Sequence, residues 1–204
     1  RFLTRTNNLD YIAKNFRNLS KTTPTKKIFD SVNTFNLNSE IRYVGGCVRK
    51  IIQNEKVDDI DLATNLNPQQ VCEALTNNSI SFYETGIQHG TVTAVIDDFK
   101  FEITSLREDV KTYGRHAEVK FSNDWKKDAL RRDFTINSIY ADFEGHLFDP
   151  FNGKEDLKKG LVKFIGNPEQ RIQEDYLRIL RYLRFFLSYS NYKHDPSILR
   201  VIKK

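Results

Sequence analysis

The sequence predicts an α/β (α+β) fold: a small mixed sheet flanked by helices, followed by an all-helical segment. Residues 42–64 contain a strand, a Gly-Gly turn, an amphipathic segment and a second strand. Residues 91–106 alternate between apolar and polar side chains like two strands of a hairpin, and residues 168–190 follow a helical period. We therefore expect a sheet-containing domain at 1–160 and the start of a helical neck domain at 161–204.

The other elements follow from local patterns. Asn67-Pro68 is a favourable helix start, because proline fits the first turn of a helix. Asp97-Asp98 lies between two alternating runs and indicates a tight turn. In chain order we predict an irregular then helical start at 1–24, helices at 26–35 and after residue 67, strands at 80–82, 91–96 and 100–106, a partly buried helix at 128–142, an edge strand at 147–150 and one long helix at 168–190.

Composition limits the class of protein. The 204 residues carry a net charge of +5 at pH 7, which favours an anionic partner. No apolar run approaches the ~20 residues that a membrane helix needs, so the sequence predicts no membrane span. Cys47 and Cys72 are too few for a disulfide framework and lack metal-site spacing, which indicates a reducing compartment. We expect further helical structure beyond residue 204 in the natural protein.

The stretch 42–64 has the pattern of a nucleotide site. Gly45-Gly46 allows a tight turn whose amides can approach a phosphate without an intervening Cβ, and Arg49 adds a permanent positive charge. In Asp59-Ile60-Asp61 the strand period places both carboxylates on one face. Two adjacent carboxylates repel each other unless a cation bridges them, and Mg²⁺ prefers oxygen ligands of this kind.

Other polar residues leave alternatives open. Glu102 points away from its apolar neighbours, so it is either an ordinary solvent-facing strand residue or a third carboxylate at the same site. The polar stretch 105–124 is either a functional loop or a plain surface loop. The predicted long helix has an apolar face formed by Ile172, Tyr176, Leu180, Leu183 and Leu187. Its charged face carries Glu174, Asp175, Arg178 and Arg181, a spacing that by itself indicates surface ion pairs.

Four ordered segments together resemble one family. VGGCVRK at 44–50, DDIDLAT at 58–64, the segment at 114–142 that contains RRDFTIN, and EDYLRILRYLRF at 174–185 resemble motifs of the class II nucleotidyltransferases of the DNA polymerase β type. This group comprises the tRNA CCA-adding enzymes and the bacterial poly(A) polymerases. One departure is Lys50, where the family often has an acidic residue.

The resemblance implies roles for individual positions. Asp59 and Asp61 would hold two Mg²⁺ ions, and Glu102 would be the third carboxylate of the catalytic site. Arg115 lies in the loop thought to reposition the site between CTP and ATP. The implied nucleotide-binding residues are Gly45, Gly46, Arg49, Arg132, Asp133, Asn137, Glu174, Asp175, Arg178 and Arg181.

The resemblance also implies an activity. A CCA-adding enzyme transfers CMP, CMP and AMP from CTP and ATP to the 3′ end of tRNA. The alternatives are a poly(A) polymerase, an enzyme that adds only CC or only A, and a non-catalytic RNA-binding module; a basic structural protein has only the charge in its favour. The expected location is the cytoplasm for a bacterial protein and the mitochondrion for a eukaryotic one, and the oligomeric state stays open.

Overall fold

The structure is a computed structural model of the chain and describes residues 7–110 and 119–203. Its α-helices are α1 (Asn7–Thr22), α2 (Thr25–Asn33), α3 (Gly46–Ile52), α4 (Pro68–Asn77), α5 (Trp125–Leu130), α6 (Gly153–Lys159), α7 (Pro168–Glu174), α8 (Leu177–Tyr189) and α9 (Pro196–Ile202). Its strands are β1 (Ile41–Val44), β2 (Ile60–Thr64), β3 (Ser81–Gly86), β4 (Thr91–Ile96), β5 (Phe99–Ser105), β6 (Arg107–Asp109), β7 (Val119–Phe121), β8 (Tyr140–Ala141) and β9 (Leu147–Phe148).

In this part of the chain, seven strands form one mixed sheet in the order β3-β4-β5-β2-β1-β8-β9, and β6 pairs with β7 in a separate ribbon. The β2–β5 pairing is parallel, whereas the other pairings are antiparallel. Helices flank this sheet, so the predicted α/β (α+β) class is confirmed. No helix among the described residues is long and apolar enough to cross a membrane.

The two central strands present different faces to the core and to the site. Ile60 and Leu62 of β2, like Phe101 of β5, are buried in the main hydrophobic cluster, which also contains residues of α1 to α4. Asp61 and Glu102 alternate with these residues and therefore lie on the opposite face. One face of the sheet thus packs against the main core, and the opposite face carries Asp61 and Glu102 together with a second, smaller hydrophobic cluster that contains Ala63.

Several elements lie where the sequence predicts them. The predicted strand at 91–96 is β4, and the turn that joins it to β5 places Asp97 at φ +46° and Asp98 at φ +65°, which is the backbone of a tight hairpin. Helix α4 begins after Asn67, whose side chain accepts from the Gln70 N–H while the Gln70 side chain accepts from the Asn67 N–H. Strand β9 is at the sheet edge, as predicted.

The predicted helix at 128–142 is wrong. Helix α5 ends at Leu130, and the chain continues through a short 3₁₀ turn at Thr135–Asn137 into β8. Between them the backbone pairs with a distant segment: the Thr135 N–H donates to the Lys163 carbonyl, and the Ile165 N–H donates to the Asp133 carbonyl, at 3.0 and 2.9 Å. This pairing requires an extended backbone, so tertiary contacts override the helical pattern.

The predicted single helix at 168–190 is also wrong. Asp175 is extended, with φ −155° and ψ 104°, and separates α7 from α8. Its carboxylate accepts a hydrogen bond from the Leu177 N–H at 2.9 Å, the competition with helical bonding that is typical of aspartate. The predicted apolar face changes accordingly, because Tyr176, Leu180 and Leu187 are exposed.

Helix α8 instead packs through its aromatic side chains. Tyr182 and Phe185 are buried and join the main core cluster. The Phe134 ring contacts the rings of Phe164 and Phe185 at centroid distances of 4.8 and 5.5 Å. The helical segment after residue 161 is therefore fixed against the segment that follows α5.

Candidate active site

The turn after β1 is built by Gly45 and Gly46. Gly45 has φ +70°, where an L side chain is strained, and its N–H donates to the Ile139 carbonyl at 3.3 Å. A Cβ added to Gly46 would meet the Arg49 guanidinium at 3.7 Å, an ordinary contact distance. The backbone conformation therefore requires glycine at position 45, whereas the space beside position 46 is open.

Asp61 and Glu102 lie side by side on neighbouring strands. They are register partners in the parallel β2–β5 pairing, so both side chains project from the same face of the sheet. The sequence predicts Asp59 within the strand. In the structure Asp59 is exposed and lies one residue before β2. Burial, together with the negative charges of Glu102 and Asp59, raises the pKa of Asp61 to about 6, although the Arg132 charge opposes this shift. The three carboxyl groups therefore form one negative region.

This region is not a complete metal site by itself. Within residues 7–110 and 119–203, no group of three or more His, Cys, Asp or Glu side chains is arranged to hold a metal ion. A divalent ion at Asp59 and Asp61 would need further oxygen ligands from a substrate or from water. Mg²⁺ is commonly held in this way, by one or two carboxylates plus substrate phosphates.

Arg49 is a buried cation that forms no ion pair with any carboxylate in the described part of the chain. It is 8% exposed, its guanidinium donates to Asn137 Oδ1, and it lies over the rings of Phe185 and Tyr189 at 4.9 and 4.8 Å. Its Nε is buried and has no hydrogen-bond partner among the described residues. Burying an unpaired charge is unfavourable, so an anion in the adjacent space would compensate for this position.

Asp128 joins the two arginines of the RRDFTIN segment. Its side chain is 1% exposed and pairs with Arg131 Nη2 at 3.0 Å and Arg132 Nη2 at 3.2 Å. Its carboxylate also accepts from the Tyr140 hydroxyl at 2.6 Å and from the Arg107 N–H at 3.2 Å. Burial alone would raise the pKa of Asp128, but the charges of Arg132 and Arg131 outweigh burial and hold it below its usual value. The orientation of both guanidinium groups thus depends on one carboxylate.

Asp133 and Asn137 connect this segment to α8 and α3. Asp133 Oδ2 accepts from Arg181 Nε at 2.7 Å, and Asp133 Oδ1 accepts from Asn137 Nδ2 at 3.5 Å. Asn137 in turn accepts from Arg49. A chain of hydrogen bonds therefore runs from Arg181 across the site to Arg49.

Glu174, Asp175 and Arg178 lie at the junction of α7 and α8. Arg178 Nη1 donates to Glu174 Oε2 at 2.9 Å and to the Arg171 carbonyl at 2.7 Å. Among the described residues, Glu174 is the ion-pair partner of Arg178, and Asp175 Oδ1 binds the Leu177 N–H. The remaining guanidinium nitrogens of Arg178 and Asp175 Oδ2 make no hydrogen bond to the described part of the chain.

One cavity of about 430 Å³ brings most of these residues together. It is lined by Gly45, Gly46, Arg49, Asp61, Arg131, Arg132, Asp133, Asn137, Asp175, Arg178, Arg181 and Phe185. Asp59, Glu102 and Glu174 do not line it, and Arg115 lies outside the described residues. The cavity lining thus combines Asp61 of the negative region, five arginines, and the Asp175 and Arg178 side chains, which offer an acceptor and a donor.

Comparison with known families gives a direct match. A family model described as "Poly A polymerase head domain" matches residues 41–163. The chain belongs to this family. The matched range of the poly A polymerase head domain runs from β1 to the segment that pairs with Asp133 and Thr135, and it includes the Gly-Gly turn and the carboxylates.

Relatives of this head domain are named as CCA enzymes. The chain is 51% identical over 168 residues to the human "CCA tRNA nucleotidyltransferase 1, mitochondrial", covering 81% of this chain and 39% of that protein. It is 38% identical over 167 residues to the "CCA-adding enzyme" of Limosilactobacillus reuteri, covering 81% of this chain and 40% of the relative. The chain therefore spans well under half the length of these relatives.

Solved structures give the same fold. The CCA-adding enzyme of Bacillus stearothermophilus in complex with CTP is 29% identical, with a TM-score of 0.74 over 86% of this chain and 41% of that chain. A tRNA nucleotidyltransferase complexed with a primer tRNA and an incoming ATP analog is 28% identical, with a TM-score of 0.65 over 82% of this chain and 46% of that chain.

The sequence analysis missed four side chains of the site, those of Arg131, Asp128, Phe185 and Tyr189. Asp128 has a local signal, because it precedes Arg131 and Arg132 by three and four residues, the spacing of helical ion pairs. Phe185 and Tyr189 have none, since their rings reach Arg49 only through the packing of α8.

Replacing Asp128 by Asn should lower the free energy of unfolding by about 3–5 kcal/mol at pH 7, because two largely buried guanidinium groups lose their carboxylate. The pKa of Asp128 is lowered by folding. Its contribution is therefore complete above its unfolded-state pKa of ~4 and is lost as the pH falls through the lower folded-state value. Urea unfolding followed by circular dichroism between pH 7 and pH 3 measures this difference.

A matched control is Asp30→Asn, which removes a carboxylate that is 59% exposed and pairs with Lys26 at 2.5 Å. This change should alter stability by about 0–1 kcal/mol, as is typical of exposed ion pairs. Equal effects of the two substitutions at pH 7 would contradict the central role of Asp128.

Proposed function

We propose that this chain is the catalytic part of a tRNA CCA nucleotidyltransferase, which adds CMP, CMP and AMP to the tRNA 3′ end from CTP and ATP without a nucleic-acid template. The observation that carries the proposal is the single cavity that joins a Gly-Gly turn, an aspartate, several arginines and the Asp175–Arg178 wall. The names of relatives at 38–52% identity support the same activity. The solved structures of similar fold that contain CTP, or a primer tRNA with an ATP analog, support tRNA, CTP and ATP as substrates.

The positive side of the cavity suits a triphosphate. Arg49 is buried without a carboxylate, and Arg132 is oriented by Asp128. A phosphate beside Gly46 would supply the missing negative charge and could approach the backbone closely. Asp133 and Asn137 hold Arg181 and Arg49 in place and would contact the nucleotide from the same wall.

The negative region suits Mg²⁺, which Asp59 and Asp61 would hold. Their oxygens are the ligands that Mg²⁺ prefers, and a bound cation would offset both the burial and the repulsion that raise the pKa of Asp61. When bound, Mg²⁺ supplies activation of the RNA 3′-hydroxyl and neutralisation of the triphosphate. The attacking 3′-oxygen forms the new bond to the α-phosphorus, and pyrophosphate leaves. Glu102 adds a third carboxylate beside Asp61.

The wall formed by Asp175 and Arg178 suits selection of the base. Cytosine and adenine each present an exocyclic amine donor beside a ring acceptor. This pattern matches the Asp175 carboxylate as acceptor and the Arg178 guanidinium as donor, through the atoms that do not bind other described residues. Guanine and uracil present a carbonyl beside a ring N–H, which places acceptor against acceptor and donor against donor. Each buried unpaired group costs ~1–3 kcal/mol, enough to reject the wrong base.

The same proposal gives the domains and the location. Residues 1–160 would form the catalytic head, and residues 161–204 the start of a neck that carries the base-selecting side chains. The helical character after Pro168 and the aromatic contacts of Tyr182 with Phe164 support this division.

The vertebrate relatives with mitochondrial names support a mitochondrial location if the source is eukaryotic, whereas a bacterial protein would be cytoplasmic.

Poly(A) polymerase is the second candidate, because the matching family model carries that name. The test uses the full-length natural protein with Mg²⁺ and tRNA transcripts that lack CCA, CA or A. Addition that stops after C, C and A supports the proposal. An unlimited A tail would establish a poly(A) polymerase. Addition that stops after CC, or addition of A alone, would indicate a partial enzyme. RNA binding without incorporation would indicate a binding module.

Asp59→Ala and Asp61→Ala should each abolish incorporation while thermal unfolding stays cooperative, since both side chains would hold the metal. Asp58→Ala is a matched control, because Asp58 is the adjacent exposed carboxylate and pairs with Lys50 at 3.2 Å. It should retain activity. Incorporation by the Asp61 variant at the wild-type rate would remove the metal assignment.

The two glycines should respond differently to alanine. Gly45→Ala should destabilise the fold by about 1–3 kcal/mol, because φ is +70° there. Gly46→Ala should not lower stability, since alanine is favoured over glycine in a helix by roughly 0.5–1 kcal/mol, but it should weaken CTP binding by crowding the phosphate. Thermal unfolding and isothermal titration with CTP measure both effects. Unchanged CTP affinity of the Gly46 variant would contradict the phosphate site.

Arg178→Ala should reduce the preference for CTP and ATP over UTP and GTP by roughly tenfold or more, because a donor to the base is lost. Arg178→Lys keeps the charge but not the planar arrangement of donors, so it should restore rate more than selectivity. The measurement is kcat/KM for each nucleotide. Unchanged ratios in the alanine variant would exclude Arg178 from base selection.

A further inference from the structure

We infer that Arg171 is a positioning residue that fixes the distance between the phosphate-binding side of the cavity and the base-selecting wall. The inference rests on the proposed function, because it assigns the two sides of the cavity to two parts of one nucleotide. Arg171 itself does not line the cavity. It contacts the backbone on the phosphate-binding side and the side chains at the base-selecting wall.

The first half of this connection is the contact with the head. Arg171 is on α7, and its side chain is 11% exposed. Its Nη2 donates to the carbonyl oxygens of Arg131 at 2.8 Å and Arg132 at 2.7 Å. These two residues directly follow the last residue of α5, where carbonyl groups lack partners within the helix. Arg171 therefore holds the backbone of the residues whose guanidinium groups are bound by Asp128.

The second half is a closed set of bonds at the start of the neck. Arg171 Nη1 pairs with Glu174 Oε2 at 2.9 Å, and the same oxygen accepts from Arg178 Nη1 at 2.9 Å. Arg178 Nη1 also donates to the Arg171 carbonyl at 2.7 Å. The side chain of Arg178 is thus oriented by Glu174 and by the backbone of Arg171. Asp175 follows Glu174 directly in the chain.

The contacts require the shape of an arginine. Two carbonyl oxygens and one carboxylate are held by the two terminal nitrogens of a single planar group, which the one nitrogen of lysine cannot reproduce. Burial and the nearby charge of Arg178 both lower the pKa of Arg171, so this is an unfavourable place for a cation unless several acceptors surround it. Its Nε is buried and unpaired among the described residues.

Loss of this connection should shift the two walls relative to each other. The phosphates could still contact Arg49 and Arg132, and the base could still contact Arg178. A single bound nucleotide could no longer make both sets of contacts at once in the reactive geometry. Misplacement by about 1 Å can cost ~10²-fold in rate. The effect should therefore appear in kcat and in base selectivity more than in the affinity for the triphosphate.

The test compares Arg171→Gln, Arg171→Lys and Arg200→Gln in the full-length protein. Arg200 is a matched control, because its exposed guanidinium also donates to a backbone carbonyl, that of Pro196, but within its own helix. We expect Arg171→Gln to lower kcat/KM for CTP and ATP by roughly 10- to 100-fold, with most of the loss in kcat, and to reduce discrimination against UTP. Arg171→Lys should recover rate only in part, and Arg200→Gln should behave as wild type.

Hydrogen exchange separates this inference from the proposed function. In Arg171→Gln, amides of residues 131–133 and 176–181 should exchange faster than in wild type, whether or not the protein incorporates nucleotides. A wild type that adds no C or A would remove the proposed function and, with it, the positioning role. An active and selective wild type with unchanged kinetics in both Arg171 variants would overturn the inference alone. A variant that loses rate equally for all nucleotides together with its thermal stability would mark Arg171 as merely structural.

Discussion

The buried carboxylate of Asp128 determines the charge pattern of the cavity. Neighbouring guanidinium groups repel each other, and one shared carboxylate fixes Arg131 and Arg132 in place while neutralising only part of their charge. Both arginines line the same cavity as Arg49, whose partners among the described residues are an amide and two aromatic rings. The arginines of the site therefore have too little negative charge around them to balance their own charge, whereas negative charge is concentrated at Asp61 and its neighbouring carboxylates.

The sequence predicts best those parts of the fold that depend on local alternation. The sequence predicts strand β4 and its turn to β5 because apolar and polar side chains alternate along the strands and Asp97-Asp98 can adopt the left-handed backbone conformation. The same alternation put Asp61 and Glu102 on the face opposite the core, although it could not show that the two residues are register partners. Register between strands that are distant in the chain is a tertiary property. The pattern of Glu102 alone leaves its role open, and the family resemblance predicts that it is a third carboxylate of the site.

The errors lie where helical periodicity competes with other hydrogen bonds of the backbone, long-range in one case and local in the other. The segment after Leu130 has apolar residues at helical spacing, but its backbone pairs with Lys163 and Ile165. Asp175 sits inside a second helical pattern and breaks it, because its carboxylate binds the Leu177 amide. In both places the residues at the break contribute polar groups to the cavity wall. A continuous helix would have carried those groups away from it.

The parallel pairing of β2 with β5 has a consequence for how the protein folds. Strands β4 and β5 form a local hairpin, and β1 and β2 are joined by a short helix, so each unit can form from nearby residues. The two units meet only when β5 docks beside β2, and that step requires closure of a long loop. The carboxylates on these strands come together at the same step, so a partly folded chain lacks the assembled carboxylate cluster. Completion of the sheet and assembly of the carboxylate cluster are therefore one and the same folding step.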